Sequence, residues 1–394
     1  MDLLRRVLHR ESLAHKALKL SLPLALVVAC GGTEQPSAEQ AAPSDASSVE
    51  QSLGTWYGAS LASATSSFSQ SGWPVGHTVD GNLGSGYALY NPATPADYTQ
   101  HQEISYRIAN PLAQTRAGDF TTFRIDLVQN YGGAHQLGRF RIQFTRSPHA
   151  SFAAGGDSRG LSGVRGSATW ENFVTCFFDP TTMNGVTLAY IQDSFMVAQG
   201  TPPATTTYRL WCHAPTAGAT GNAITGLKID MAADPVFPTS GPGRAGNGNL
   251  VLNEVQVIQQ LAPRGSIANS TYGQCLWVDT NNLNKVFAVS CASVGGTINA
   301  DWIRVQVNSD AYLLRSGVNP NNCLDAWEYR QIYTGLRTTA CNLNSYQIWH
   351  NPSGFLRNYG DMCAAPSITN EMFQSPCPWG TYGSLESYKY FWTL

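Results

Sequence analysis

The feature that most constrains this chain is a triple cysteine repeat in its last third. Cys275 and Cys291, Cys323 and Cys341, and Cys363 and Cys377 are separated by 16, 18 and 14 residues. The first members of the pairs lie 48 and 40 residues apart. Trp302, Trp349 and Trp392 follow at spacings of 47 and 43, each 8 to 15 residues after a second cysteine. One such unit is too small to bury its apolar side alone, whereas three stacked units can. The regularity predicts a threefold pseudo-symmetric barrel in which each local cysteine pair closes one repeat and the tryptophans are core. Cys176 and Cys212 then form a fourth bridge and leave Cys30 over. No C-x-x-C occurs and only His213 sits beside a cysteine, so zinc is not expected.

Cys30 has a different context. Arg5, Arg6, Arg10, Lys16 and Lys19 precede an apolar run, Leu20 to Ala29, that is too short to span a bilayer. Val27-Val28-Ala29-Cys30 resembles the lipobox of bacterial lipoproteins. The resemblance implies a signal peptide over 1–29, cleavage before Cys30, acylation of that residue and a lipid-anchored place in the cell envelope. Removing 1–29 leaves 24 acidic and 19 basic residues, a net charge of −5. Residues 30–54 are then the lipidated cysteine and a flexible linker, because Gly31 to Ser52 has almost no large apolar residue. No basic patch stands out, so no nucleic-acid partner is expected, and contact with a membrane is through the anchor only.

Residues 55–260 read as strands. Ile104-Ser-Tyr-Arg-Ile108, Phe123-Arg-Ile-Asp-Leu127, Phe140-Arg-Ile-Gln-Phe144 and Leu250 to Val257 are apolar at alternate positions. Gly, Pro and Asn clusters separate them, and only 13% of the chain is charged, which disfavours long surface helices. No amphipathic helix of three turns is evident. The pattern is that of a β-sandwich.

Two families are similar to these halves. Cys323-Leu324-Asp325-Ala326, Cys341 and Gln347-Ile348-Trp349 resemble the C-L-D…C…Q-x-W repeat of ricin B-type lectins. The resemblance covers 263–394 as a complete β-trefoil. It implies a binding module in which the Asp accepts sugar hydroxyls, an aromatic two residues before the second cysteine stacks on the sugar, and a polar residue before the Gln completes the site. Asp325 keeps the anchor in the second lobe, where Thr339 stands at the stacking position and Tyr346 precedes Gln347. Trp327 and Tyr333 are further aromatics near this lobe. Trp277 and Val289 replace anchor and stack in the first lobe, where Asn299 keeps the polar position; Ala365 and Ser375 replace both in the third.

The stretches Phe68 to Val75, Val79-Asp80-Gly81-Asn82, His135 to Arg141, Ile224 to Ile229 and Gly241 to Val255 are similar to discoidin and coagulation-factor type C modules, a galactose-binding-like jelly-roll class. The aromatic usually found as Trp after D-G-N is Tyr87. This resemblance implies a two-sheet jelly roll over 55–260 whose end loops bind glycan, lipid or protein, and a structural calcium ion without assigned ligands. No other cofactor is expected, and Asp80-Gly81-Asn82 also fits a plain turn.

Catalytic signals are weak. Ser158 lies in a G-x-S-x-G match inside a Gly-rich loop, without the strand-turn-helix a nucleophile elbow needs. Gly241 to Gly246 matches G-x-G-x-x-G, but a strand follows instead of a helix. The expected fold is therefore all-β, a jelly-roll sandwich followed by a β-trefoil. The expected function is a non-catalytic, envelope-anchored carbohydrate-binding lipoprotein with two binding modules. The alternative is a surface scaffold or adhesion protein with degenerate sugar sites.

Overall fold

Alternation along the first half produces two antiparallel sheets. The computed structural model describes residues 56–394 except 91–100, 114–118, 149–150, 152–166, 216–222, 234–240, 270, 327–334, 343, 352–353, 359–361, 378–391 and 393. In chain order the first strands are β1 (Tyr57–Gly58), β2 (Leu61–Ser66), β3 (Tyr87–Ala88), β4 (Gln102–Ile108), β5 (Phe120–Gln129), β6 (Arg139–Thr145) and β7 (Glu171–Asn172). They continue with β8 (Thr175–Phe178), β9 (Thr187–Tyr190), β10 (Met196–Gln199), β11 (Thr206–Pro215), β12 (Gly226–Ala232), β13 (Val251–Leu252) and β14 (Glu254–Leu261). One sheet runs β1-β14-β5-β11-β8, and the other runs β2-β4-β12-β6-β10-β9 with β7 beside β6.

Because the side-chain period of a strand is two, the apolar set of each strand meets the facing sheet. Phe123, Ile125 and Leu127 of one sheet pack with Ile104, Tyr106, Phe140, Ile142, Phe144, Leu227 and Ile229 of the other in a single core. Replacing a fully buried ring such as Phe123 by Ala costs about 3–5 kcal/mol. Cys176 and Cys212 sit directly opposite on β8 and β11 and are bonded. Tyr87 is fully buried, and its hydroxyl donates to the Phe68 carbonyl at 2.7 Å, so the Trp-to-Tyr exchange keeps an aromatic core residue with a satisfied polar end.

The second half is one sheet closed by three hairpins. Its strands are β15 (Arg264–Gly265), β16 (Ala268–Asn269), β17 (Gln274–Asp279), β18 (Lys285–Ser290), β19 (Trp302–Gln306) and β20 (Ala311–Ser316). Then follow β21 (Asn322–Asp325), β22 (Arg337–Ala340), β23 (Ile348–His350), β24 (Arg357–Asn358), β25 (Met362–Pro366) and β26 (Met372–Pro376). The hairpins β17–β18, β21–β22 and β25–β26 each carry one disulfide: Cys275–Cys291, Cys323–Cys341 and Cys363–Cys377. Bridges Lys285↔Arg337, Phe287↔Glu371 and Gly335↔Phe373 join the hairpins in a ring.

The three tryptophans repeat one interaction. Trp302 Nε1 donates to the Leu276 carbonyl, Trp349 Nε1 to Leu324 and Trp392 Nε1 to Ala364, at 3.0, 3.0 and 3.2 Å. Each acceptor follows the first cysteine of its lobe, so every indole ties the barrel core to its own hairpin. All three rings are buried with Leu314, Leu324, Leu356 and Met372. The architecture is therefore a β-sandwich followed by a β-trefoil.

The two halves are packed together within one compact unit. Phe120 and Ala262 join Ile303, Val305, Leu313 and Cys323 in a separate core, with Phe177 against it. Arg315 is buried with its guanidinium 4.3 Å from the Phe120 ring centroid. Arg264 bonds to Asp119 at 3.4 Å on one side and to Asp301 on the other.

Candidate functional site

The second trefoil lobe gathers the residues the lectin motif singles out. Asp325 ends β21, and β22 brings Thr339 alongside. Thr339 Oγ1 donates to Asp325 Oδ2 at 2.5 Å, and Gln347 Nε2 donates to the same oxygen at 2.9 Å. Gln347 is held from its other end, where Oε1 accepts the Asn342 N–H at 2.8 Å. The Asp carboxylate is thus oriented by two donors. Its second oxygen, Oδ1, is buried and has no hydrogen-bond partner among the described residues, and the residue as a whole is 4% exposed. A buried acceptor without a donor is costly, on the order of 1–3 kcal/mol.

Tyr346 stays in this lobe, its carbonyl accepting the Ala326 N–H at 3.3 Å, and the other candidates fall elsewhere. Tyr346 packs partly buried against the trefoil core. Asn299 lies in the first lobe, where its amide donates to the Val278 carbonyl at 2.7 Å. Trp277 is half-buried and tilted against Phe287, ring centroids 6.4 Å apart. Trp327, Tyr333, Ser158 and Cys30 lie outside the described residues.

A second cluster occupies one end of the sandwich. Trp73 and Tyr131 meet edge to face at 5.2 Å, and Tyr131 meets His135 at 5.1 Å. Tyr131 is 54% exposed. Its loop turns through Gly132, Gly133 and Ala134, all with positive φ, a conformation two successive glycines adopt without a Cβ clash. His135 Nδ1 lies 2.9 Å from the Gly132 carbonyl and fixes the ring. Buried Asn253 joins this loop to its neighbour: Oδ1 accepts the Asn130 N–H at 2.6 Å, and Nδ2 donates to Ser85 O at 2.8 Å. Alternation does not reveal this trio, since Trp73 and Tyr131 are far apart in sequence. The only local signal is an aromatic beside Gly-Gly or before Pro.

Asp80-Gly81-Asn82 forms the turn its composition suggests. Asp80 Oδ1 accepts the Asn82 N–H and Oδ2 the Ser85 hydroxyl, both at 2.8 Å, while Gly81 has φ 75°. These bonds hold the Asp80 carboxyl below its ordinary range. Glu254, at the start of β14, lies close to it. Burial first, then the Asp80 charge, push the Glu254 carboxyl up to about 7. Its Oε2 is buried with no partner among the described residues. Two nearby carboxylates, one with an oxygen that has no partner among the described residues, are hard oxygen ligands of the kind Ca²⁺ takes, although the Gly81 N–H also donates to Glu254. Asp80 and Glu254 would hold the calcium that the jelly-roll resemblance implies.

His101, Glu103 and Asp230 also converge, with candidate ligand atoms within 4.8 Å of one another. Arg141 Nε bonds Asp230 at 2.6 Å and Lys228 Nζ lies 3.6 Å from Glu103, so this is a charge-compensated ion-pair network. The G-x-G-x-x-G stretch is a tight loop: the Gly243 N–H donates to Gly248 O at 3.0 Å, and a Cβ on Gly243 would collide with the Asn249 carbonyl.

No family model and no curated protein matches the chain. Among solved structures, the chain is similar to the family 32 carbohydrate-binding module of C. perfringens NanJ in complex with galactose. That match has 10% identity, 52% of this chain and 99% of that one covered, and a TM-score of 0.27. It is also similar to a non-toxic homologue of type II RIPs from Momordica charantia (bitter gourd) in complex with α-methyl-D-galactoside, at 17% identity, 45% and 58% coverage and a TM-score of 0.27. The designed threefold protein ThreeFoil aligns at 13% identity over 33% of this chain and 95% of its own, with a TM-score of 0.27.

Proposed function

We propose that this chain is a non-catalytic carbohydrate-binding protein, anchored in the cell envelope through Cys30, with one binding site in the second trefoil lobe and one at the Trp73–Tyr131 end of the sandwich. The observation that carries the reading is the Asp325 carboxylate. One oxygen is held by Thr339 and Gln347, and the other is buried with no donor among the described residues. A sugar hydroxyl would supply that donor once binding uncovers the oxygen. Exposed Tyr131 and half-buried Trp73 offer the second site a face for the C–H side of a pyranose and, through His135, a polar edge. Four disulfides fit maturation in an oxidising, extracytoplasmic compartment.

The test is Asp325→Asn. The amide oxygen can keep the Thr339 and Gln347 bonds, while its NH2 replaces the orphaned acceptor. Glycan-array binding through the trefoil is expected to fall at least about tenfold, with stability changed by less than about 1 kcal/mol. A folded wild-type protein that leaves the array blank refutes the carbohydrate reading.

A further inference from the structure

A cleft of about 230 Å³ opens between the sandwich and the trefoil. The Phe177 ring of β8, with Phe178 beside it in the strand, forms one wall. Val307 and Asn308, from the turn after β19, and Ser345 and Ile348 form the other. We propose that this cleft is a composite sugar subsite, built jointly by the two halves, which takes one uncharged pyranose ring. The proposal rests on the carbohydrate reading above and adds a site distinct from Asp325 and from the Trp73 end.

Three observations select that occupant. The lining contains no charged side chain among the described residues, which disfavours phosphates, nucleotides and acidic or basic peptides. The walls combine the Phe177 ring with hydrogen-bonding groups that have no partner among the described residues. Asn308 Oδ1 accepts the Asp310 N–H at 3.0 Å, but among the described residues neither Asn308 Nδ2 nor Ser345 Oγ has a partner. Donors and acceptors facing a ring are the pairing a pyranose uses, with its C–H face on the aromatic and its hydroxyls on the polar side. Lastly, the volume lies below the usual range for drug-sized ligands, about 300–1,000 Å³, and suits a single ring.

Phe178, the next residue of the strand, turns its ring to the opposite face, against the sandwich core. Tyr190 lies tilted 5.3 Å from Phe178 and is nearly half exposed. Its hydroxyl donates to the Cys176 carbonyl and accepts the Cys176 N–H, each at 2.7 Å, so the ring is fixed and does not swing into the cleft. The segment that supplies Ser345 and Ile348 also carries Gln347, which bonds Asp325. Cleft and lectin site therefore lie on the two sides of one short segment.

The experiment compares wild type, Ser345→Trp, Asn308→Ala and Asp325→Asn on one glycan array. It adds methyl-labelled NMR spectra recorded with methyl β-galactoside and methyl β-glucoside. Ser345→Trp fills the cleft, while Asn308→Ala removes a polar group with little volume change. Near-UV circular dichroism verifies folding. The Val307 and Ile348 methyl signals of the wild type are expected to shift with at least one glycoside. Both cleft variants are expected to weaken that response about tenfold, and Asp325→Asn is expected to retain it. Unmoved Val307 and Ile348 signals, or full binding by both cleft variants, overturn the composite subsite and leave the carbohydrate reading standing. A blank array and a silent spectrum for the wild type overturn both.

Discussion

His213 offers the most quantitative test of how the two halves are joined. It lies on β11 facing the trefoil, fully buried, with Nδ1 3.2 Å from Thr122 Oγ1 and its ring edge to face with Phe177 at 5.8 Å. Thr175 stands opposite on β8, and the Arg315 charge approaches from the trefoil. Burial, and secondarily Arg315, push the imidazole down from 6.5 to about 3. The native state therefore holds His213 neutral while the unfolded chain protonates near 6.5. Stability from this group is complete above pH 6.5 and declines as the pH falls towards 3, because the unfolded state binds the extra proton. Between pH 7 and pH 4 the loss comes to about 3 kcal/mol, out of a limit of about 5 kcal/mol for the whole shift. Carboxylates contribute acid sensitivity of their own, so the informative quantity is a difference. Urea unfolding of wild type and His213→Gln at both pH values should show the wild type losing about 3 kcal/mol more than the variant. Gln preserves the size and the bond to Thr122 without titrating. Equal pH dependence in the two proteins, or an imidazole that titrates near 6 in the folded state by NMR, refutes the reasoning.

Chelation tests the loop carboxylates. EGTA should lower the thermal midpoint of calcium-loaded wild type and leave Glu254→Gln unmoved, as followed by calorimetry. Trp73→Ala and Tyr131→Ala should each remove sugar binding by the sandwich end while leaving trefoil binding intact. Because Tyr131 is 54% exposed, its loss should shift stability by less than about 1 kcal/mol in a urea titration.

The trefoil was legible because its constraints are periodic. Three cysteine pairs and three tryptophans recur in register, and the structure gives each tryptophan the same carbonyl partner and each pair the same hairpin. The sandwich was legible from alternation alone, since Phe123, Ile125 and Leu127 or Phe140, Ile142 and Phe144 can share a face only in strands. The sites were less so. Thr339 reads in sequence as the loss of a stacking aromatic, whereas in space it is a hydrogen-bond donor to Asp325. Asn299 keeps a polar residue type, but its amide serves the first-lobe backbone. Trp73 meets Tyr131 and His135 only through packing of loops far apart in sequence, and no local pattern carries that contact. The joint between the halves was equally hidden, because Phe120, His213 and Arg315 occupy outward positions that alternation assigns to solvent.

That joint has a consequence for recognition. Two modules on a slack linker accept ligands of almost any spacing and gain mainly through effective concentration. Arg264, bonded to Asp119 and Asp301 at once, and the apolar layer around Phe120 remove that slack. On the function proposed above, sugar sites on both sides of such a joint would act as a ruler. The chain would then sort polymers by the pitch at which their epitopes repeat, and two glycans identical in composition but different in repeat length would become different ligands.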